Sequence, residues 1–208
     1  MTIITSRSPF DNRILDIDDI TQKEDIARKV EQCRAAAKIW SSVPVKKRVK
    51  ILAKLRDDIL GDIDSLSECI SETTGKVPTE ALQGDILPVL SLLDYYIKNA
   101  SSILADRNMA TSPFLFPATS AKIYRQPFGV IAIISPWNYP FQLTASPLLT
   151  ALFAGNGIVF KASEYTLPVG KYIYNLFNQI DLPEGLVQWV IGDKEIAQQL
   201  IDAGPDMV

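Results

Sequence analysis

The 208-residue sequence has no histidine and only two cysteines, Cys33 and Cys69. Without imidazole there is no histidine general base, and the commonest metal ligand is missing, so zinc chemistry is not expected. Two cysteines do not make a disulfide framework. Each falls among aliphatic residues on a helical face, with no basic partner to form a thiolate, so neither is expected to act as a nucleophile. No apolar run approaches the roughly 18 residues of a membrane span, and the first ten residues lack the basic and apolar segments of a secretory leader. A net charge of -3, carried without long single-sign blocks, gives no basic surface for nucleic acid. These absences point to a cytoplasmic protein with no metal, nucleic-acid or membrane partner. With 47% hydrophobic residues the chain has ample material for a core.

Periodicity divides that material into two textures. Thr21 and Glu24 have the spacing of a capping box, after which Ile26, Val30, Cys33, Ala37 and Trp40 fall on one helical face. Pro44 suits the first turn of a second helix that carries Val45, Val49, Leu52, Leu55 and Ile59. A third, with Ile63, Leu66, Ile70 and Thr73, stops at Gly75. Beyond Pro78 a longer periodic stretch runs to Leu104, with an interruption expected at Pro88. The first hundred residues therefore read as helical. Ser, Thr and Pro then accumulate from Thr111 to Pro117, and Ala121 to Gln126 alternates toward a strand. From Val130 the order becomes strand (Val130 to Ile134), helix (Gln142 to Ala154), strand (Gly157 to Lys161), helix (Leu167 to Gln179), strand (Leu186 to Ile191) and helix (Glu195 to Ala203). Such alternation predicts a parallel, doubly wound α/β sheet, half of a dinucleotide-binding unit. The organisation expected is 1–110 helical, 111–127 a β-arm, and 128–208 a partial Rossmann-like unit.

Chemistry concentrates at the ends of the predicted strands. In SPWNYPF (135–141), Pro136 and Pro140 remove backbone donors and fix the exit path of the first strand, which places Asn138 at a carboxyl end, where open α/β sheets bind ligands. An amide N–H held there is a suitable donor to a carbonyl oxygen that gains negative charge. The plainer alternative makes Asn138 a turn residue that serves local backbone groups. Lys161 and Glu164 follow the second strand. A carboxylate in that place can accept the two hydroxyls of a ribose and an ammonium can add a third contact. The alternative is a surface ion pair of little consequence, with Ser163 or Thr166 capping the next helix. Gly192 ends the third strand and would let a backbone approach a cofactor closely. No GxGxxG is present to mark a standard Rossmann turn.

The three segments SPWNYPF, LLTALFAGNGIVFKASEYTL (148–167) and LPEGLVQWVIGD (182–193), in this order and spacing, resemble the NAD(P)-dependent aldehyde dehydrogenase superfamily, more weakly upstream through Thr74-Gly75-Lys76. The resemblance implies an aldehyde dehydrogenase fold and oxidation of an aldehyde to a carboxylic acid. It implies that Asn138 is the oxyanion donor, that Lys161 and Glu164 hold the adenosine ribose, and that Ile134, Ser135, Pro136, Trp137, Ser163 and Gly192 line the cofactor. Glu164 favours NAD over NADP, although NADP is possible. The family's Gly-Ser-Thr turn, Glu-Leu-Gly-Gly base motif and Gly-Gln-x-Cys nucleophile do not occur in the 208 residues. The chain is therefore expected to be the amino-terminal part of such an enzyme, cut short and inactive alone, with an oligomer of dehydrogenase subunits as its setting. A non-catalytic nucleotide-binding or subunit-interaction module is the other expectation.

Overall fold

The computed structural model describes residues 3–112, 114, 115 and 118–208; Pro113, Phe116 and Pro117 of the Ser/Thr/Pro stretch lie outside them. The chain opens with a hairpin rather than a helix. Strand β1 (Ile3–Arg7) pairs antiparallel with β2 (Ile14–Asp19), Ile4 opposite Asp18, with a bulge between Ser6 and Arg7. The acidic alternation of β2 hides a strand, because Asp is depleted in strands and carries no apolar signal. Asn12, at φ +61°, makes the turn in the left-handed region that Asn tolerates.

Thr21 does not cap the first helix. Its N–H donates to Ile191 O at 2.9 Å and its Oγ1 accepts the Ile191 N–H at 2.8 Å, so it continues a sheet edge instead. Helix α1 (Lys23–Ser42) then buries Ile26, Val30, Cys33, Ala36, Ala37 and Trp40. The second predicted helix is α2 (Val45–Leu52) followed by α3 (Lys54–Gly61), joined at Ala53, which keeps helical dihedrals. Helix α4 (Ile63–Thr74) ends at Gly75, φ +78°, as its sequence requires. The interruption at Pro88 takes a specific form: α5 (Pro78–Ala81) passes into a π-turn (Leu82–Ile86), and Pro88 lies in the first turn of α6 (Leu87–Ile103). Proline has no N–H to close a normal helical bond there, and a π-turn absorbs the change of register.

The arm is a short hairpin, β3 (Arg107–Met109) against β4 (Ala121–Ile123). Strands β5 (Val130–Ile134), β6 (Gly157–Lys161) and β7 (Val187–Trp189) form a parallel sheet in the order β5-β6-β7. Between and after them run α7 (Gln142–Ala154), α8 (Leu167–Asn178) and α9 (Lys194–Asp202). Side chains alternate across the sheet as strand geometry dictates. Val130, Ala132, Val159 and Val190 meet Ile26, Val30, Ile196 and Leu200 of α1 and α9. Ile133, Ile158, Phe160, Val187 and Trp189 join α7, α8 and the helical half in the larger core.

One contact fixes the winding. Met207 bridges Ile131 in parallel on the free side of β5, and Asp206 Oδ2 accepts the Val130 N–H at 2.7 Å. The order in which strands are added thus reverses between β5 and Met207, which is the topological switch point of a doubly wound fold.

Arg48 fastens the helical half to the sheet half. It is buried, its Nη1 donates to Val43 O at 2.9 Å beyond the end of α1, and a Cβ on Gly155, which ends α7, would lie 3.0 Å from it. Burial lowers its pKa. The two helix ends supply the partial negative charge that a cation there needs. Arg48→Ala is expected to destabilise the chain by about 1.5–3 kcal/mol, the range for a hydrogen bond to a charged group; a urea melt checks it.

Candidate functional site

The carboxyl ends of the three parallel strands form one edge, and all the residues singled out from sequence lie on it. Ile134 stands in register with Lys161, and Ser135 N–H continues the ladder to Lys161 O at 3.0 Å. Ser135 is buried, its hydroxyl donating to Leu143 O at 3.4 Å, while Ile134 is partly exposed and Pro136 is exposed. The chain then turns outward. Trp137 is 55% exposed and lines a 500 Å³ cleft with Tyr165, Arg7 and Thr74.

Asn138 is exposed, and its side chain has no hydrogen-bond partner among the described residues. Both amide protons are thus free for a ligand.

Lys161 is buried on β6, and its Nζ donates to Glu164 Oε2 at 2.7 Å; the side chains are 6% and 25% exposed. The ammonium keeps two further protons and the carboxylate a second oxygen, so the pair retains both donor and acceptor capacity. Ser163 points back into the protein. It caps the 3-10 turn Glu164–Thr166, its Oγ accepting the Tyr165 N–H at 3.3 Å, and this locks the approach of Glu164. Gly192, at φ +154°, follows β7, and a Cβ there would come within 2.2 Å of Ile196 Cγ1. Glycine is therefore required for α9 to pack against the strand end, whatever else it admits.

Neither cysteine belongs to this edge. Burial pushes the Cys33 thiol up to about 12, and its Sγ donates to Leu186 O at 3.4 Å. Burial, with Glu72, Asp16 and Asp62 nearby, pushes Cys69 up to about 11. Both thiols stay protonated near neutrality, the opposite of what a nucleophile needs. Among the described residues no group of three His, Cys, Asp or Glu side chains could hold a metal, and no helix is long and apolar enough to cross a membrane.

Sequence reasoning misses one pair beside the site. Lys76 Nζ lies 2.8 Å from Asp85 Oδ2, and Asp85 Oδ1 accepts the N–H groups of Phe141 at 3.1 Å and Gln142 at 3.2 Å. The available signal is an aspartate in a helix-periodic stretch; the two amides it accepts from, those of Phe141 and Gln142, are more than fifty residues away along the chain.

Comparison with known proteins is consistent across sequence and structure. Residues 2–208 match the model of the aldehyde dehydrogenase family. Over all 208 residues the chain is 52% identical to 4,4'-diapolycopene aldehyde oxidase of Methylomonas sp, of which it covers 39%. Among solved structures, it superposes on a putative aldehyde dehydrogenase from Burkholderia cenocepacia with TM-score 0.88 and 26% identity, over 96% of this chain and 40% of that one. The aldehyde dehydrogenase of Mycobacterium tuberculosis complexed with NAD+ gives TM-score 0.89 at 24% identity, over 99% of this chain and 42% of that one. The chain spans about two fifths of the length of these relatives. It belongs to the aldehyde dehydrogenase family.

Proposed function

We propose that this chain supplies the cofactor-binding sheet edge and the oxyanion donor of an NAD-dependent aldehyde dehydrogenase that oxidises an aldehyde to its carboxylic acid. The observation that carries the proposal is the common edge: Asn138 exposed and unbonded past β5, and the Lys161–Glu164 pair past the neighbouring strand β6. The donor set suits a ribose. Glu164 retains a free carboxylate oxygen for vicinal hydroxyls, Lys161 retains protons for a third oxygen, and Ser163 fixes their spacing from inside. Ile134, Ser135, Pro136 and Trp137 would line the cofactor along the end of β5, and Gly192 would leave its path clear beside β7. NAD, when bound, supplies the two-electron acceptor. NADP is disfavoured because a 2′-phosphate replaces a hydroxyl whose proton Glu164 would accept.

The part played by Asn138 is electrostatic. When a nucleophile adds to the aldehyde, the carbonyl oxygen becomes an oxyanion, and an amide already free of protein partners can donate to it without breaking another bond. The nucleophile is not a residue of this chain, given the raised thiols of Cys33 and Cys69. In this reading residues 1–110 and 128–208 together make the coenzyme-binding unit, and 111–127 form an arm. The exposed Ile123 and Tyr124 of that arm, with Met109 on the facing strand β3, suit contact with another dehydrogenase subunit. A cytoplasmic location accords with this function. The 52% identity to the Methylomonas protein favours a long apolar polyene aldehyde as substrate.

The test is a chimera in which this chain replaces the matching 39% of the Methylomonas protein. The expected result is NAD-dependent aldehyde oxidation by the chimera and none by the 208-residue chain. A folded chimera that binds NAD but does not oxidise the aldehyde would count against the proposal.

A further inference from the structure

The Asn138 side chain has no hydrogen bond among the described residues, so its aim depends on what holds the backbone around it. Three residues of the α4–α6 region do so. Asp85, wholly buried in the π-turn, spends Oδ1 on the N–H groups of Phe141 and Gln142, at the start of α7. Its other oxygen takes Lys76 Nζ at 2.8 Å, and that ammonium also stands 3.6 Å from the centroid of the Tyr139 ring. Gly84 lies under the same ring, where a Cβ would come within 2.8 Å of it. Tyr139 through Gln142 are thus gripped by ring and by backbone, directly after Asn138.

Stability alone gives little reason for this arrangement. A buried ion pair generally gains nothing over apolar residues of the same volume, since desolvation offsets the attraction. The pair does give direction, because a carboxylate with one oxygen on two amides and the other on a fixed ammonium admits few orientations.

We propose that Lys76 and Asp85 are positioning residues for Asn138: they clamp residues 139–142 and so set the direction in which the Asn138 amide leaves the end of β5. The proposal rests on the oxyanion reading of Asn138, and its test separates the two. Two readouts are required: amide hydrogen exchange of the 137–143 peptide in this chain, and kcat with KM for NAD in the chimera. Asp85→Ala should speed exchange at Phe141 and Gln142 by roughly 10–100-fold, the effect of losing a charged acceptor. It should lower kcat by at least about tenfold, with KM for NAD unchanged, because misaim of a catalytic group acts on turnover. Asp85→Ala leaves Lys76 buried without its partner and could prevent folding. The double variant Lys76→Met with Asp85→Asn avoids that, since it removes both charges and keeps an acceptor for the two amides. It should restore most of the exchange protection and most of kcat.

Faster exchange with unchanged kcat in Asp85→Ala, alongside a lowered kcat in Asn138→Ala, would overturn the positioning role and leave the oxyanion reading intact. A double variant that folds and keeps its amides protected, yet turns over no faster than Asp85→Ala, would also overturn it. Unchanged kcat in Asn138→Ala would overturn both.

Discussion

Asn138→Ala in the chimera should lower kcat by about 10²–10³ with little change in NAD affinity, the cost of removing one oxyanion donor. The side chain is exposed, bonds nothing among the described residues, and sits past Pro136 at the end of a buried strand. Nothing in the fold is lost with it, so the melting temperature should hardly move. Asn138→Asp should be at least as damaging, because a carboxylate repels the charge that the amide attracts. If Asn138 were only a turn residue, the pattern would invert: the melt would shift and turnover in the folded protein would stay near normal. Kinetics and a melting curve on the same samples separate the two, and unchanged turnover removes Asn138 from the mechanism.

The elements that frame Asn138 are the ones most legible in sequence. Strands β5 and β6 and helix α7 have the bounds expected from their residues, because a strand buried on both faces must be a continuous apolar run and α7 ends at Gly155, φ +98°. Strand β7 is shorter than Leu186 to Ile191, although the Ile158 N–H to Leu186 O and Val190 N–H to Phe160 O bonds carry the ladder past its named ends. The β1–β2 hairpin is not legible, since its polar face is acidic and it is held from outside: Ser6 Oγ donates to Tyr165 O at 2.6 Å and Lys171 Nζ to Asp16 Oδ2 at 2.6 Å.

The residues of the candidate site divide in the same way. The placement of Asn138, Lys161 and Glu164 just past β5 and β6 is legible in sequence, because the apolar runs that precede them bound the strands. Lys76 and Asp85 are not, because an aspartate in a helix-periodic stretch reads as an exposed polar position until the amides of Phe141 and Gln142 are seen beside it. Ser163 is found, with its hydroxyl turned inward to a cap that local spacing also allows.

The preference between the two cofactors follows from the balance of charge at Glu164. At about 4 Å and an effective dielectric near 20, each unit charge pair is worth about 4 kcal/mol. Attraction of a 2′-phosphate to Lys161 therefore roughly cancels its repulsion by Glu164, to which that ammonium is already bonded at 2.7 Å. What remains is the loss of the hydroxyl bonds that Glu164 accepts from an unphosphorylated ribose, so NAD should bind the tighter. Glu164→Gln keeps one acceptor and loses the charge. NAD should then bind about tenfold more weakly, the lower end of the range for a charge-assisted bond, while NADP should bind no worse than before because the repulsion has gone.

Calorimetric titration of NAD and of NADP into the 208-residue chain and its Glu164→Gln variant puts this sheet edge to the test without requiring turnover. The account predicts NAD ahead of NADP in the parent and a ratio that moves toward NADP in the variant. Equal NAD binding by parent and variant, or NADP ahead in the parent, would contradict it.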